Sequence, residues 1–238
     1  MDLARENIDY SHIILKKAGG RKPNASASGI GFLFLLYQRQ KLQVKLPRLP
    51  LPFGVTMFKG NMYMDISLKD QPGLMSKFQE LDMHLIGRLH ALFDMEVDEI
   101  MNSFVSSIKI PLNPAFSPYL RVKLTKDQEQ DYTFSLYSSR KDAEGNLIPI
   151  DPTCDEEVKD TFPSHSEVAT MIELSGVWYQ EDDNRFGTTW KLVQAKKFEN
   201  EGGSNGNGNG NPQQQPHSSS SGYAFHDDDD EDDDEESD

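Results

Sequence analysis

A single cysteine, Cys154, stands in 238 residues. That scarcity excludes an intramolecular disulfide and a cysteine-built zinc site, and it fits a reducing compartment. Long apolar runs are missing too. The most apolar stretch, residues 30–37, is far shorter than the roughly 20 residues a membrane helix needs. The N-terminal residues lack the apolar core of a signal peptide, so the expectation is a soluble intracellular protein with no membrane association. Enzyme signatures are absent: no P-loop, no dinucleotide-binding glycine pattern, no paired-histidine zinc motif and no nucleophile elbow. His84 and His90 lie six residues apart on a helical pattern, which puts them on different faces. Carboxylates are plentiful but not paired as a general acid and base. These absences predict a protein that is not an enzyme and uses no metal or cofactor.

Positive charge is missing from one region altogether. Residues 201–238 hold 12 acids and no Lys or Arg, and eleven of the last twelve residues are acidic. The formal net charge of −15 is therefore uneven, because the first 200 residues carry 27 acids against 24 bases. A nearly neutral body can still present a basic groove. The acidic run has no apolar surface to bury and repels itself, so it predicts a disordered tail. A Gly/Asn/Gln/Ser-rich spacer over 202–222 is a flexible linker that lets the tail reach the body.

Periodicity divides the remainder. Residues 1–28 read as a flexible N-terminal arm. Residues 30–37 read as a strand that is apolar on both faces, including Phe32 and Phe34, and therefore buried on both. Residues 41–46 form a more exposed strand, the prolines of 47–52 break regular structure, and 62–68 form the next strand. From Leu74 through Phe78, Leu81, Leu85, Leu89 and Leu92 one apolar stripe recurs at helical spacing. A shorter helix covers 97–107. Strands return at 119–124 and 132–137, 141–163 is an acidic loop, and 171–180 with 188–196 form a hairpin. The expected fold is mainly β with inserted helices: an OB-fold-like, partly open barrel over 29–200, followed by the disordered acidic tail over 201–238.

Aromatic and basic residues are concentrated in that hairpin. Trp178 and Tyr179 lie on its first strand, and Arg185, Phe186, Trp190 and Lys191 on or near its second. Both tryptophans of the chain are here, twelve residues apart. Aromatic rings beside cations are the groups that hold unpaired bases, since every base has a π-face to stack and the cations follow the phosphates. Each tryptophan could equally fill the barrel core. A second set is Lys109, Arg121 and Lys123, with Arg121 and Lys123 on the polar side of a strand whose Leu120, Val122 and Leu124 face inward.

The chain resembles the single-stranded-DNA-binding proteins of large double-stranded DNA viruses of eukaryotes, which are similar to the short-tailed coliphage single-stranded-DNA-binding protein. The matching pieces are Leu51-Pro-Phe-Gly-Val-Thr, Ser107-Ile-Lys-Ile110, Ser117-Pro-Tyr-Leu-Arg-Val-Lys123, Leu174-Ser-Gly-Val-Trp178, Gly187-Thr-Thr-Trp-Lys191 and Gln194. The resemblance implies an OB-fold that coats single-stranded DNA in replication, recombination and repair. It also implies an acidic tail that competes with DNA and docks replication proteins such as polymerase or helicase. The phage relative closes its tail on an aromatic residue; here Tyr223 and Phe225 precede Asp227, Asp228, Asp229 and Asp230 instead, and are the expected partner-binding positions. A viral protein of this kind would work in the host nucleus or at a cytoplasmic replication site, and a homodimer stays open. The alternative is an acidic-tailed chaperone for histones or other basic proteins, which accounts for the tail but not for the aromatic and basic hairpin.

Overall fold

The computed structural model describes residues 8–17, 30–180 and 184–198. In chain order the strands are β1 (Ile13–Lys17), β2 (Ile30–Tyr37), β3 (Leu42–Leu51), β4 (Val55–Phe58), β5 (Asn61–Ser67), β6 (Phe104–Val105), β7 (Ile108–Lys109), β8 (Tyr119–Leu124), β9 (Ser135–Lys141), β10 (Leu147–Ile150), β11 (Ser166–Gln180) and β12 (Arg185–Phe198). Helices α1 (Pro72–Phe93) and α2 (Val97–Ser103) fall between β5 and β6, and α3 (Asp155–Thr161) between β10 and β11. The chain is mainly β, and the described strands join in one sheet.

Simple alternation builds the strands. In β8, Leu120, Val122 and Leu124 are buried while Tyr119, Arg121 and Lys123 are half-buried on the other face. In α1 the expected stripe is buried at Leu74, Phe78, Leu81, Leu85 and Leu89, while Leu92, near the helix end, is exposed. The helix starts at Pro72, whose missing N–H costs nothing in the first turn, and stops at Asp94, which turns into the left-handed region at φ 53°.

A long antiparallel ribbon, β11 with β12, organises the rest. The first half of β11 pairs with β3 and its second half with β2, in the register Thr170↔Leu46 and Trp178↔Phe32. β12 runs parallel to β8 at Trp190↔Val122 and Lys191↔Lys123, then parallel to β9. β8 pairs with β5, and β5 with β4. The path β3-β11-β12-β8-β5 curls until β3 packs against β5 with no hydrogen-bonded ladder among the described residues. That is a five-stranded, partly open barrel of the OB type.

Several expectations differ from the structure: the helix expected over 97–107 ends at Ser103, and the strand expected over 132–137 begins at Ser135. Residues 13–17, within the expected arm, form β1 on the edge of β2, and Ile8 and Ile13 join the core. The prolines of 47–52 do not end the strand. β3 runs through Pro47 and Pro50, because it ladders only with β11 and bulges where Leu46↔Thr170 gives way to Leu49↔Val168. Residues 141–163 are not a loose loop but complete β9, turn into β10 and form α3. The turn is closed by Asp142, whose carboxylate accepts from the N–H groups of Glu144 and Asn146. Val158 and Phe162 then anchor α3 in the core.

Candidate nucleic-acid interface

Along β12, alternation places Gly187, Thr189 and Lys191 on one face and Phe186, Trp190 and Leu192 on the other, and only the second set is buried throughout its side chains. The ladders carry the first face across neighbouring strands. Gly187 is opposite Trp178, Lys191 is opposite Lys123, and Lys123 is opposite Tyr63. The β4–β5 register, Thr56↔Tyr63 and Phe58↔Asn61, brings Phe58 to the same side. The result is a groove of about 400 Å³ lined by Phe58, Tyr63, Lys109, Arg121, Lys123 and Trp178. In OB barrels the second and third strands and the adjoining loops hold oligonucleotides. Here those strands are β5 and β8.

The ring of Trp178 lies across Gly187, where a Cβ would stand 2.4 Å from the indole. Only glycine leaves room for the ring to lie against the sheet.

The cations differ in what they have to spare. Arg121 donates from Nε and Nη2 to the two oxygens of Asp65 at 2.8 and 2.7 Å, and Asp65 is itself buried. Its charge is largely answered within the protein. Its guanidinium lies near the rings of Tyr63 and Tyr119, at 5.5 and 5.6 Å from their centroids. Lys123 and Lys191 are cross-strand neighbours, and neither has a carboxylate partner among the described residues. Burial first, and Lys191 second, hold the Lys123 ammonium below the ordinary lysine range. Burial also lowers Lys109, against the pull of Asp82, and its Nζ donates to the Ser106 carbonyl.

Behind the groove lies a buried polar network. The Asp82 carboxylate, from α1, accepts from Ser106 Oγ at 2.7 Å, Ser107 N at 2.9 Å and Ser107 Oγ at 2.8 Å. Burial raises its pKa while these hydrogen bonds oppose the rise. Ser107 Oγ accepts in turn from Trp190 Nε1 at 3.1 Å. The network therefore ties α1, the bend at Ser106–Ser107 that leads into β7 and Lys109, and the barrel floor together.

The structure thus brings Lys109, Arg121, Lys123 and Trp178 into one groove, with Lys191 beside Lys123. It gives others no part in stacking. Trp190 adjoins the groove but is 2% exposed and packs edge-on to Phe78 at 5.3 Å, so its ring offers no face to a base. Phe186 is likewise buried and meets Phe93 edge-on at 5.2 Å. Tyr179 points to that same core side and packs against Phe93 at 5.1 Å. Arg185 is exposed at the first residue of β12. Tyr223, Phe225, Asp227, Asp228, Asp229 and Asp230 lie outside the described residues.

Sequence reasoning missed Phe58 and Tyr63. Tyr63 was findable, since it sits between the inward-facing Met62 and Met64 and must point outward. The expectation that β2 is buried on both faces is corrected. Leu33 and Leu35 are buried, but Phe34 is 51% exposed. The inner face joins the core through Leu33 and Leu35, while the outer face leaves Phe34 half in solvent. Among the described residues no group of three or more His, Cys, Asp or Glu could hold a metal ion. No described helix is long and apolar enough to cross a membrane.

No family model matches the chain. It is similar to uncharacterized protein L291 of Acanthamoeba polyphaga mimivirus, 22% identical over 177 residues, covering 68% of this chain. The match spans only 27% of that longer relative. Among solved structures it is similar to gp2.5, a single-stranded DNA binding protein encoded by bacteriophage T7, with a TM-score of 0.42 and 10% identity over 71% of this chain and 91% of that one.

Proposed function

We propose that this chain binds single-stranded DNA without acting on it chemically. One observation carries the reading: the half-buried Trp178 and the unanswered Lys123–Lys191 pair share one groove face with Tyr63 and Phe58. Bases stack on the rings while the lysines neutralise phosphates, and a groove lined in this way suits an unpaired strand rather than a duplex. The acidic run of the C-terminal region is an intramolecular rival for the same cations, reached through its Gly/Asn/Gln/Ser spacer, and a docking segment for replication proteins such as polymerase or helicase. The similarity to a protein of a giant virus accords with a viral origin, and the setting proposed is viral DNA replication.

The test is a tryptophan-fluorescence titration with oligo-dT, comparing the full chain with a variant ending at residue 200 and using duplex DNA as the control. Quenching by the single strand alone, with tighter binding after removal of the tail, is the expected outcome. Equal affinity of the two forms at low salt would remove the competitor role. Binding by neither form would overturn the reading and bring the basic-protein chaperone forward.

A further inference from the structure

The groove face does not stop at the barrel wall. β2 continues it beyond β11, and the register Trp178↔Phe32 and Gly176↔Phe34 puts both phenylalanines on the side that carries Trp178. Phe32 leans over Gly176, where a Cβ would come within 2.8 Å of its ring. Phe34 stands next to it at 5.4 Å between centroids, edge-on at 73°, and is 51% exposed. One strand further out, Lys16 of β1 is directly opposite Phe34 and exposed. It has no carboxylate partner among the described residues. An exposed ring thus recurs one strand outside the groove, with a cation on the next strand that has no carboxylate partner among the described residues. Neither the packing of the core nor the pairing of β1 requires an aromatic at position 34, because the strand's buried contacts come from Leu33 and Leu35.

We propose that Phe34, braced by Phe32 and flanked by Lys16, is a second stacking step that carries the bound strand off the barrel onto the β1–β2 pair. This rests on the single-strand reading above and extends its footprint. From β2 to β4 the sheet path crosses β11, β12, β8 and β5, about 24 Å at the usual strand spacing of about 4.8 Å. A short oligonucleotide seated between Trp178 and Phe58 therefore leaves Phe34 unoccupied, whereas a longer one reaches it.

The experiment titrates the full chain and its F34A and K16A variants with oligo-dT of about 5 and about 20 nucleotides, one near the lower end of the usual site size of an OB barrel and one beyond its upper end. Expected for F34A is unchanged affinity for the short strand and about tenfold weaker binding of the long one. Expected for K16A is a salt dependence shallower by about 0.7 on the long strand only. Thermal melting of F34A should match the parent, since the ring is half in solvent. An equal loss on both lengths would overturn the proposal by placing Phe34 inside the primary groove or in the fold. No loss on either length would overturn it directly. Failure of the unaltered chain to bind either strand would instead overturn the single-strand reading itself.

Discussion

On one face of the β11–β12 ribbon Trp190 is sealed against Phe78 and tied to Ser107, while on the other Trp178 lies over Gly187 with groove beside it. The two faces draw on the same residue types within a dozen positions. What separates them is strand parity: Trp190, Phe186 and Tyr179 project to the side that α1 covers, and Trp178 and Lys191 to the side that no described element covers. An aromatic-rich segment is therefore both a core and a candidate binding face. Substitutions should divide along the same line, affecting stability on one side and ligand affinity on the other.

The sharpest break is W190A. Emptying that core position should cost about 3–5 kcal/mol of unfolding free energy, read by denaturant titration. W178A should behave differently. It should leave the unfolding midpoint close to the parent's and weaken oligo-dT binding by about 1–3 kcal/mol. A large stability loss in W178A would erase the contrast between the faces.

Within the groove, the comparison is between answered and unanswered cations. K123A with K191A should flatten the dependence of log affinity on log salt by about 0.7 per lysine, measured by titration at several ionic strengths. An alkaline series should show the smallest effect. Phosphate binds the charged ammonium, and burial has already lowered Lys123 in the free protein. Affinity should therefore fall as pH rises through that lowered value, before ordinary lysines titrate. K191A removes a like charge and should move Lys123's part of the fall to higher pH, while K123R should remove that part because arginine stays charged, leaving the part owed to Lys109, which burial also lowers.

Much of this was legible in the sequence. The apolar stripe of α1, the alternation of β8 and the pairing of β11 with β12 are local patterns, and local patterns survive folding. The cationic residues of β8 and Trp178 were legible for the same reason. What escaped depended on contacts distant in the chain. Whether β2 is covered on one face or two is decided by which of its faces the distant core elements reach, and only that of Leu33 and Leu35 is buried. Whether Trp178 or Trp190 faces outward depends on a register that a bulge between Leu174 and Gly176 resets. Phe58 needed the β4–β5 hairpin, which no periodic signal announced. The persistence of β3 through Pro47 and Pro50 needed the knowledge that one of its sides carries no ladder.

A barrel left partly open exposes strand edges, and free edges invite strand addition between molecules. Here β3 carries Pro47 and Pro50, and β10, which ladders only with β9, carries Pro149. Proline has no N–H to offer an incoming strand. β4, at one end of the sheet path, is only four residues long. The edges at β3, β10 and β4 are thus blunted chemically or by length, so copies brought close together need not add strand to strand there.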